Sequence, residues 1–175
     1  MRYNSRMASL RWNSSHAVFL TEIDDDHKEI FDAVARFQTA LSEGRPASEL
    51  NDLTGRVAVR IEDHFAHEER LMRAAGYALL SWHKRCHDAA RKRIARLIQR
   101  IGRADPNAGT ALVEFLSKWL QNHSRLPDRM LAAFLRNKRR TGKIVFTAGT
   151  KAHDSCSWLN SRGEPFDPTL SGSGF

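Results

Sequence analysis

The stretch HFAHEERLM, residues 64–72, decides the fold of this chain. His64 and Glu68 stand four residues apart, so on a helix both side chains leave the same face one turn apart. Ile61 and Val57 continue this face toward the N-terminus with the same helical spacing. A histidine and a glutamate therefore lie on a stripe whose other members are apolar and pack into a core.

Histidines and carboxylates recur in the same way in three further segments, IDDDHKEIF (23–31), HKRCH (83–87) and WLQNHSRLPD (119–128). The complete set of candidate ligands is His27, His64, Glu68, His83, His87, His123 and Asp128. In every segment these residues fall on the apolar stripe, where an imidazole or carboxylate is costly unless it is paired or bound to a metal. Because imidazole and carboxylate bind borderline first-row metals, the sequence predicts a metal centre inside the fold.

Helical periodicity divides the chain into segments at about residues 24–42, 47–74, 80–103 and 110–136. Gly44 and Pro46 interrupt the pattern after the first segment, Gly76 ends the second, and a loop at 104–109 precedes the last. Four helices of this length joined by short loops predict an all-α protein, an up-down-up-down four-helix bundle.

The domain organisation follows from where this periodicity begins and ends. We predict an N-terminal arm at residues 1–20, the bundle at 21–138 and a basic, irregular, flexible tail at 139–175. The arm carries Trp12 and Phe19, whose rings can pack on the bundle. Beyond about residue 142, glycine, serine, threonine, proline and scattered charges replace the helical pattern.

Charge and hydropathy limit the range of partners. The net charge is +8, and the basic run at 91–103 lacks the interleaved aromatic residues of a single-strand binder, so we interpret it as a solvated helix face. No stretch approaches the roughly 20 apolar residues of a membrane helix, and no apolar core follows the N-terminal arginines as in a signal peptide. We expect a cytoplasmic protein with neither a membrane nor a nucleic-acid partner; the sequence does not specify an oligomeric state.

Seven candidate ligands exceed the four of a structural zinc site and suit two metal ions. A carboxylate can bridge two ions, whereas a neutral imidazole binds one, so Glu68 and Asp128 can bridge while the histidines divide three and two. With one bridging oxygen from solvent, the three-histidine metal reaches six ligands and the other metal five. A small diatomic ligand can bind at the position that stays open on the second metal.

The five-residue spacing from His123 to Asp128 does not fit a regular helix, on which the two side chains diverge by about 140°. Pro127 supplies a distortion, because its ring clashes with the carbonyl of the residue four positions earlier, which is His123. We therefore predict a kink or widened turn at 123–128 that directs Asp128 inward. An undistorted helix at these positions would contradict Asp128 as a ligand.

The four motifs, in this order along the chain, resemble the successive ligand motifs of hemerythrins over roughly residues 10–135. The resemblance implies a non-haem di-iron centre with an oxo or hydroxo bridge. It implies that His83, His87 and His123 hold one iron, that His27 and His64 hold the other, and that Glu68 and Asp128 bridge them. It further implies an apolar ligand pocket formed by Ile30, Trp119 and Leu120. The implied function is reversible binding of molecular oxygen, for storage, delivery or scavenging.

Two other functions are compatible with the same residues. One is a sensor module in which the di-iron site reports oxygen, nitric oxide or redox state. The other is a di-iron oxidase or peroxidase, but enzymes of that class use paired Glu-x-x-His motifs that the core faces of this chain lack. We therefore expect no enzymatic activity. His67 and Glu69 flank the Glu68 ligand and are expected to lie on the surface, with hydrogen bonding to a ligand side chain as the alternative, and His16 has no supporting spacing.

Overall fold

The computed structural model describes residues 10–142. The helices are α1 (Thr21–Ser42), α2 (Ala47–Ala75), α3 (Leu80–Gly102), α4 (Ala108–His123) and α5 (Arg129–Thr141), with a π-helical turn at Ser124–Asp128 and a short 3-10 turn at Ser14–His16. The π-helical turn joins α4 to α5, so these elements form one long interrupted helix. The predicted all-α four-helix bundle is confirmed, and the described part of the chain contains no strand.

Helices that follow one another in the chain also lie next to one another in the bundle. α1 packs on α2, α2 on α3, α3 on α4, and α4 returns to α1. The connections between these helices are only a few residues long, which forces each helix to run antiparallel to the one before it. Gly76 ends α2 in the left-handed conformation, with φ at 65°, and its N–H donates to the carbonyls of the last turn.

The core consists of two apolar layers with polar residues between them. One layer contains Ile30, Ile61 and Trp119, and the other contains Ile23 and Met72. Each long helix passes from one layer to the other. The histidines and carboxylates singled out from the sequence fall between the two apolar positions of their own helix. The apolar layers therefore close off the middle of the bundle from above and below.

Residues 10–20 run along the bundle and are fixed to it by polar contacts. The N–H of Val18 donates to Asp24 Oδ1 at 2.8 Å, and Arg136 Nη1 donates to the carbonyl of Val18 at 2.6 Å. Trp12 packs against the larger apolar layer. Residues 143–175, most of the predicted flexible tail, lie outside the described residues. Within residues 10–142, no helix has the length and apolar character required to cross a membrane.

Two glycines of α2 provide a matched test of the fold. Gly55 lies in the interior of the helix on an exposed face, whereas Gly76 ends it at positive φ, and a Cβ at either position meets no atom within 4 Å. We expect Gly55→Ala to raise the free energy of unfolding by about 1 kcal/mol through helix propensity. Gly76→Ala lowers it by about 1 kcal/mol, because alanine is strained in the left-handed region. Chemical denaturation of both variants measures the two shifts; equal signs would contradict the assigned end of α2.

Candidate metal centre

All seven candidate ligands meet in the middle of the bundle. His27 comes from α1, His64 and Glu68 from α2, His83 and His87 from α3, His123 from the end of α4 and Asp128 from the π-helical turn. None of their side chains is more than 1% exposed. The ligand atoms fall into two groups, each with its atoms within 4.8 Å of one another: Glu68, His83, His87 and His123 in one, and His27, His64 and Asp128 in the other.

In the first group, three imidazole nitrogens converge on one point. The Nε2 atoms of His83 and His87 each lie 3.1 Å from Nε2 of His123. Glu68 Oε2 lies 3.3 Å from His83 Nε2 and 3.2 Å from His87 Nε2. Two ligands at right angles, each about 2.1 Å from a metal, are separated by about 3.0 Å. The spacing of these four side chains therefore fits adjacent ligands of one octahedral ion.

The two carboxylates lie between the groups. Asp128 Oδ2 is 3.1 Å from Nε2 of His27, while Oδ1 is 3.0 Å from Nε2 of His123. Oε2 of Glu68 faces the first group and also lies 3.6 Å from Nε2 of His64 in the second. Each carboxylate thus faces imidazoles of both groups, which is the position a bridging ligand requires.

The polar atoms at the centre lack ordinary hydrogen-bond partners. Among the described residues, no group is in hydrogen-bonding geometry with either oxygen of Glu68 or Asp128, or with Nε2 of His64. A buried polar atom without a partner costs about 1–3 kcal/mol, and more if it is charged. Cations held by the two groups would give these atoms the partners that they lack. The donor set of five imidazoles and two carboxylates therefore fits a pair of first-row metal ions.

The charges of the centre shift the pKa values of its members strongly. Burial and the Asp128 carboxylate raise the pKa of Glu68, but His64 and His83 outweigh them and hold it below its ordinary value. Burial lowers the pKa of His83, but Glu68 and Asp128 raise it to about 9. Burial dominates at His123 and lowers its pKa to about 4. The nearby imidazoles also hold the pKa of Asp128 well below its ordinary value, so both carboxylates favour the ionised form without metal.

The predicted distortion near Pro127 is confirmed as the π-helical turn Ser124–Asp128. A π-helical turn joins residues five apart, so it brings His123 and Asp128 to the same face, where a regular helix separates them. The hydroxyl of Ser124 donates to the carbonyl of Leu120 at 2.7 Å and adds a contact to this turn. Asp128 is fully buried as a result.

A model of the family described as "Hemerythrin HHE cation binding domain" matches residues 18–135. This match covers the helices that supply the seven residues. The chain belongs to the hemerythrin family. It is 32% identical to a bacteriohemerythrin of Stenotrophomonas maltophilia over 153 residues, 87% of this chain and 94% of that protein. It is 30% identical to a bacteriohemerythrin of Pseudomonas aeruginosa over 70% of this chain and 78% of that protein. It is 31% identical to a hemerythrin of Themiste dyscrita over 67% of this chain and 86% of that protein.

Aromatic rings surround the histidines of this hemerythrin domain on the side of the larger apolar layer. Trp119 stacks on the imidazole of His123 with ring centres 4.4 Å apart, and Phe65 stacks on His87 at 4.1 Å. Ile30 and Leu120, the other residues of the predicted pocket, are fully buried in the same layer as Trp119. Phe65 was not singled out from the sequence, although it lies next to His64 in the motif at 64–72.

The expectation that Glu69 lies on the surface is wrong, because its side chain is buried and only 7% exposed. Glu69 Oε1 lies 3.4 Å from Nδ1 of His87 and accepts a hydrogen bond from Arg91 at 2.9 Å. His67 is partly buried, and its Nδ1 lies 2.6 Å from Asp26 Oδ2. His16 is also buried, and its Nδ1 accepts a hydrogen bond from the N–H of Asn13. Arg91 on α3 and Asp26 on α1 thus reveal contacts of Glu69 and His67 that helical spacing within α2 did not predict.

The pKa of His83 generates a prediction for the metal-free protein. Its folded value of about 9 lies above the ordinary value of 6.5, so protonated His83 stabilises the fold fully below pH 6.5. This contribution is lost as the pH rises from 6.5 through about 9. We expect the free energy of unfolding of chelator-treated protein, measured by chemical denaturation, to fall over this interval. His83→Gln, in the same metal-free form, loses this part of the pH dependence; an unchanged profile would refute the assignment.

Proposed function

We propose that this hemerythrin-family protein binds molecular oxygen reversibly at a non-haem di-iron centre. The ligands are the seven residues His27, His64, Glu68, His83, His87, His123 and Asp128. The observation that carries the proposal is the pair of ligand groups whose two carboxylates each face imidazoles of both groups. The bacterial and Themiste dyscrita relatives are named bacteriohemerythrin and hemerythrin, which supports the same function.

The division of the histidines supports an asymmetric centre. Three imidazoles, of His83, His87 and His123, converge on one focus, whereas His27 and His64 serve the other. His83, His87 and His123 would hold one iron and His27 and His64 the other, with Glu68 and Asp128 shared, so the second iron would have fewer protein ligands and room for oxygen. When bound, the two irons supply the electrons that oxygen takes up and later returns. The protein residues hold both ions at fixed positions throughout.

The surrounding side chains exclude water from this site. Trp119 and Phe65 contact each other edge to face at 5.3 Å while each stacks on a ligand imidazole. We propose that Ile30, Trp119 and Leu120 form the pocket in which oxygen is held. A largely apolar lining would limit the access of water and protons to the centre, which would favour release of oxygen over irreversible oxidation. The protein therefore acts as a binder and not as an enzyme, and we propose that it does so in the cytoplasm.

The iron-loaded protein provides the direct test. We expect metal analysis to find two irons per chain and no preference for zinc. The reduced protein is then exposed to air and returned to an oxygen-free atmosphere while its absorption spectrum is recorded. A charge-transfer band that appears with air and disappears on removal of oxygen supports reversible binding. Immediate and permanent conversion to the ferric form would refute it and favour the sensor or the oxidase.

Replacement of a bridging carboxylate tests the ligand assignment. Glu68→Gln keeps the shape of the side chain but removes the negative charge that both ions share, so we expect bound iron to fall from two per chain to one or fewer. Glu29→Gln is the matched control, because Glu29 is exposed and pairs with Arg60 at 3.0 Å on the surface. Full iron content in Glu68→Gln, measured by metal analysis after gel filtration, would remove Glu68 from the ligand set.

A further inference from the structure

The outer nitrogens of the five ligand imidazoles are not in equivalent surroundings. The Nδ1 atoms of His27, His64, His83 and His123 have no hydrogen-bond partner among residues 10–142, but that of His64 lies within ion-pair distance of a carboxylate. Nδ1 of His87 lies 3.4 Å from Glu69 Oε1, and Nδ1 of His64 lies 3.6 Å from Asp26 Oδ2. The distance between His87 and Glu69 is that of a long hydrogen bond. The distance between His64 and Asp26 is slightly too long for a hydrogen bond and is that of an ion pair. Each group of ligands therefore contains one imidazole whose Nδ1 faces a further carboxylate, besides Glu68 and Asp128.

The first of these carboxylates is fixed by arginines. Arg91 Nη1 donates to Glu69 Oε1 at 2.9 Å, and Arg73 Nη2 donates to Oε2 at 3.0 Å. Arg91 is itself held by both oxygens of Glu62, each at 2.8 Å. Its guanidinium also lies over the ring of Phe65, 4.9 Å from the ring centre, and that ring stacks on His87. His87 is thus constrained through Glu69 on its edge and through Phe65 on its face.

The second carboxylate is fixed by a histidine that is not a ligand. Asp26 Oδ2, which faces His64, also lies 2.6 Å from Nδ1 of His67. Asp26 and His67 are 29% and 27% exposed, whereas Glu69 is 7% exposed. The two carboxylates therefore differ in solvent access: one is shielded by arginines, and the other lies at the edge of the bundle.

A carboxylate beside the outer nitrogen of a metal-bound imidazole has two effects. It fixes the tautomer and the orientation of the ring, and it makes the inner nitrogen a stronger donor to the metal. In this fold, one such carboxylate belongs to the three-histidine group and the other to the two-histidine group. In the proposed function, the second group holds the iron that binds oxygen. The two carboxylates therefore act on different irons, and only Asp26 acts on the one that binds oxygen.

We propose that Glu69 and Asp26 are positioning residues of the di-iron centre, each tuning one iron through the histidine that it faces. This inference rests on the proposed function, because it requires both irons. Glu69, held by arginines, acts through His87 on the iron with three histidines and secures iron retention. Asp26, held by His67, acts through His64 on the iron with the open position and sets its affinity for a small ligand.

The variants Glu69→Gln and Asp26→Asn remove each charge while they retain the shape of the side chain. Glu62→Gln is the matched control for the first, because it loosens the same arginine but leaves a carboxylate beside His87. Asp25→Asn is the control for the second, because Asp25 is exposed and pairs only on the surface, with Lys28 at 2.7 Å. Iron affinity is measured by competition with a chelator, and azide serves as the probe of the open position in the ferric protein.

We expect Glu69→Gln to weaken iron binding about 10-fold or more relative to Glu62→Gln, within the range found when such outer partners are removed. We expect Asp26→Asn to shift the charge-transfer band of the azide complex and to change azide affinity, while Asp25→Asn leaves both unchanged. Glu69→Asp and Asp26→Glu restore part of each effect because they restore the charge. The thermal stability of the metal-free variants is measured in parallel, since a purely structural role changes stability and not the azide band.

The outcomes separate this inference from the function on which it rests. If the wild type binds two irons and oxygen but each variant matches its control in iron affinity and azide spectrum, the positioning role is wrong and the proposed function stands. The positioning role is also wrong if all losses track the stability of the metal-free protein. If the wild type does not hold two irons, the proposed function and this inference fail together.

Discussion

The burial of five imidazoles and two carboxylates in the middle of the bundle is the constraint on which the rest of the structure depends. No bundle gains stability from such a layer by itself, since each buried polar atom without a partner opposes folding. Apolar layers above and below it, represented by Ile30 and Met72, contribute the burial that stabilises the fold around this layer. Metal ions at the two ligand groups would offset the free-energy cost of burying these polar atoms, because their positive charge would neutralise that of the carboxylates. Fold stability and metal binding are therefore two consequences of the same arrangement.

The π-helical turn shows how a local distortion completes this arrangement. A regular fourth helix would present either His123 or Asp128 to the centre but not both, because residues five apart diverge on it. The widened turn at Ser124–Asp128 brings both to one face, at 3.0 Å between the imidazole nitrogen and the carboxylate oxygen. Pro127 lacks the N–H that a regular helix would use at this point, so the local cost of the wider turn is reduced. The position of Asp128 between the two ligand groups thus depends first on the backbone of this turn.

Much of the fold and the centre could be predicted because both depend on helical periodicity. His64 and Glu68 revealed their common face directly from their spacing, and the clash expected at Pro127 revealed the widened turn. Glu69 could not be found in this way. Its position next to Glu68 places it about 100° around the helix, off the core face, where a lone charge is usually exposed. It is buried because Arg91 of the neighbouring helix covers it, and spacing within one helix says nothing about which neighbour lies against it.

The two ligand groups have different surroundings, although they lie side by side in the same bundle. Beside His87, Phe65 and two arginines form a cover in which Arg91 and Arg73 both pair with Glu69. On the outer side of His64, Asp26 contacts His67, and both side chains are partly open to solvent. In the proposed di-iron centre, the more enclosed cover would favour retention of an ion, whereas the more open one would allow the imidazole of His64 to adjust as charge changes at the centre. The proposed reversible binding would need both properties, and the two covers lie beside different ligand groups.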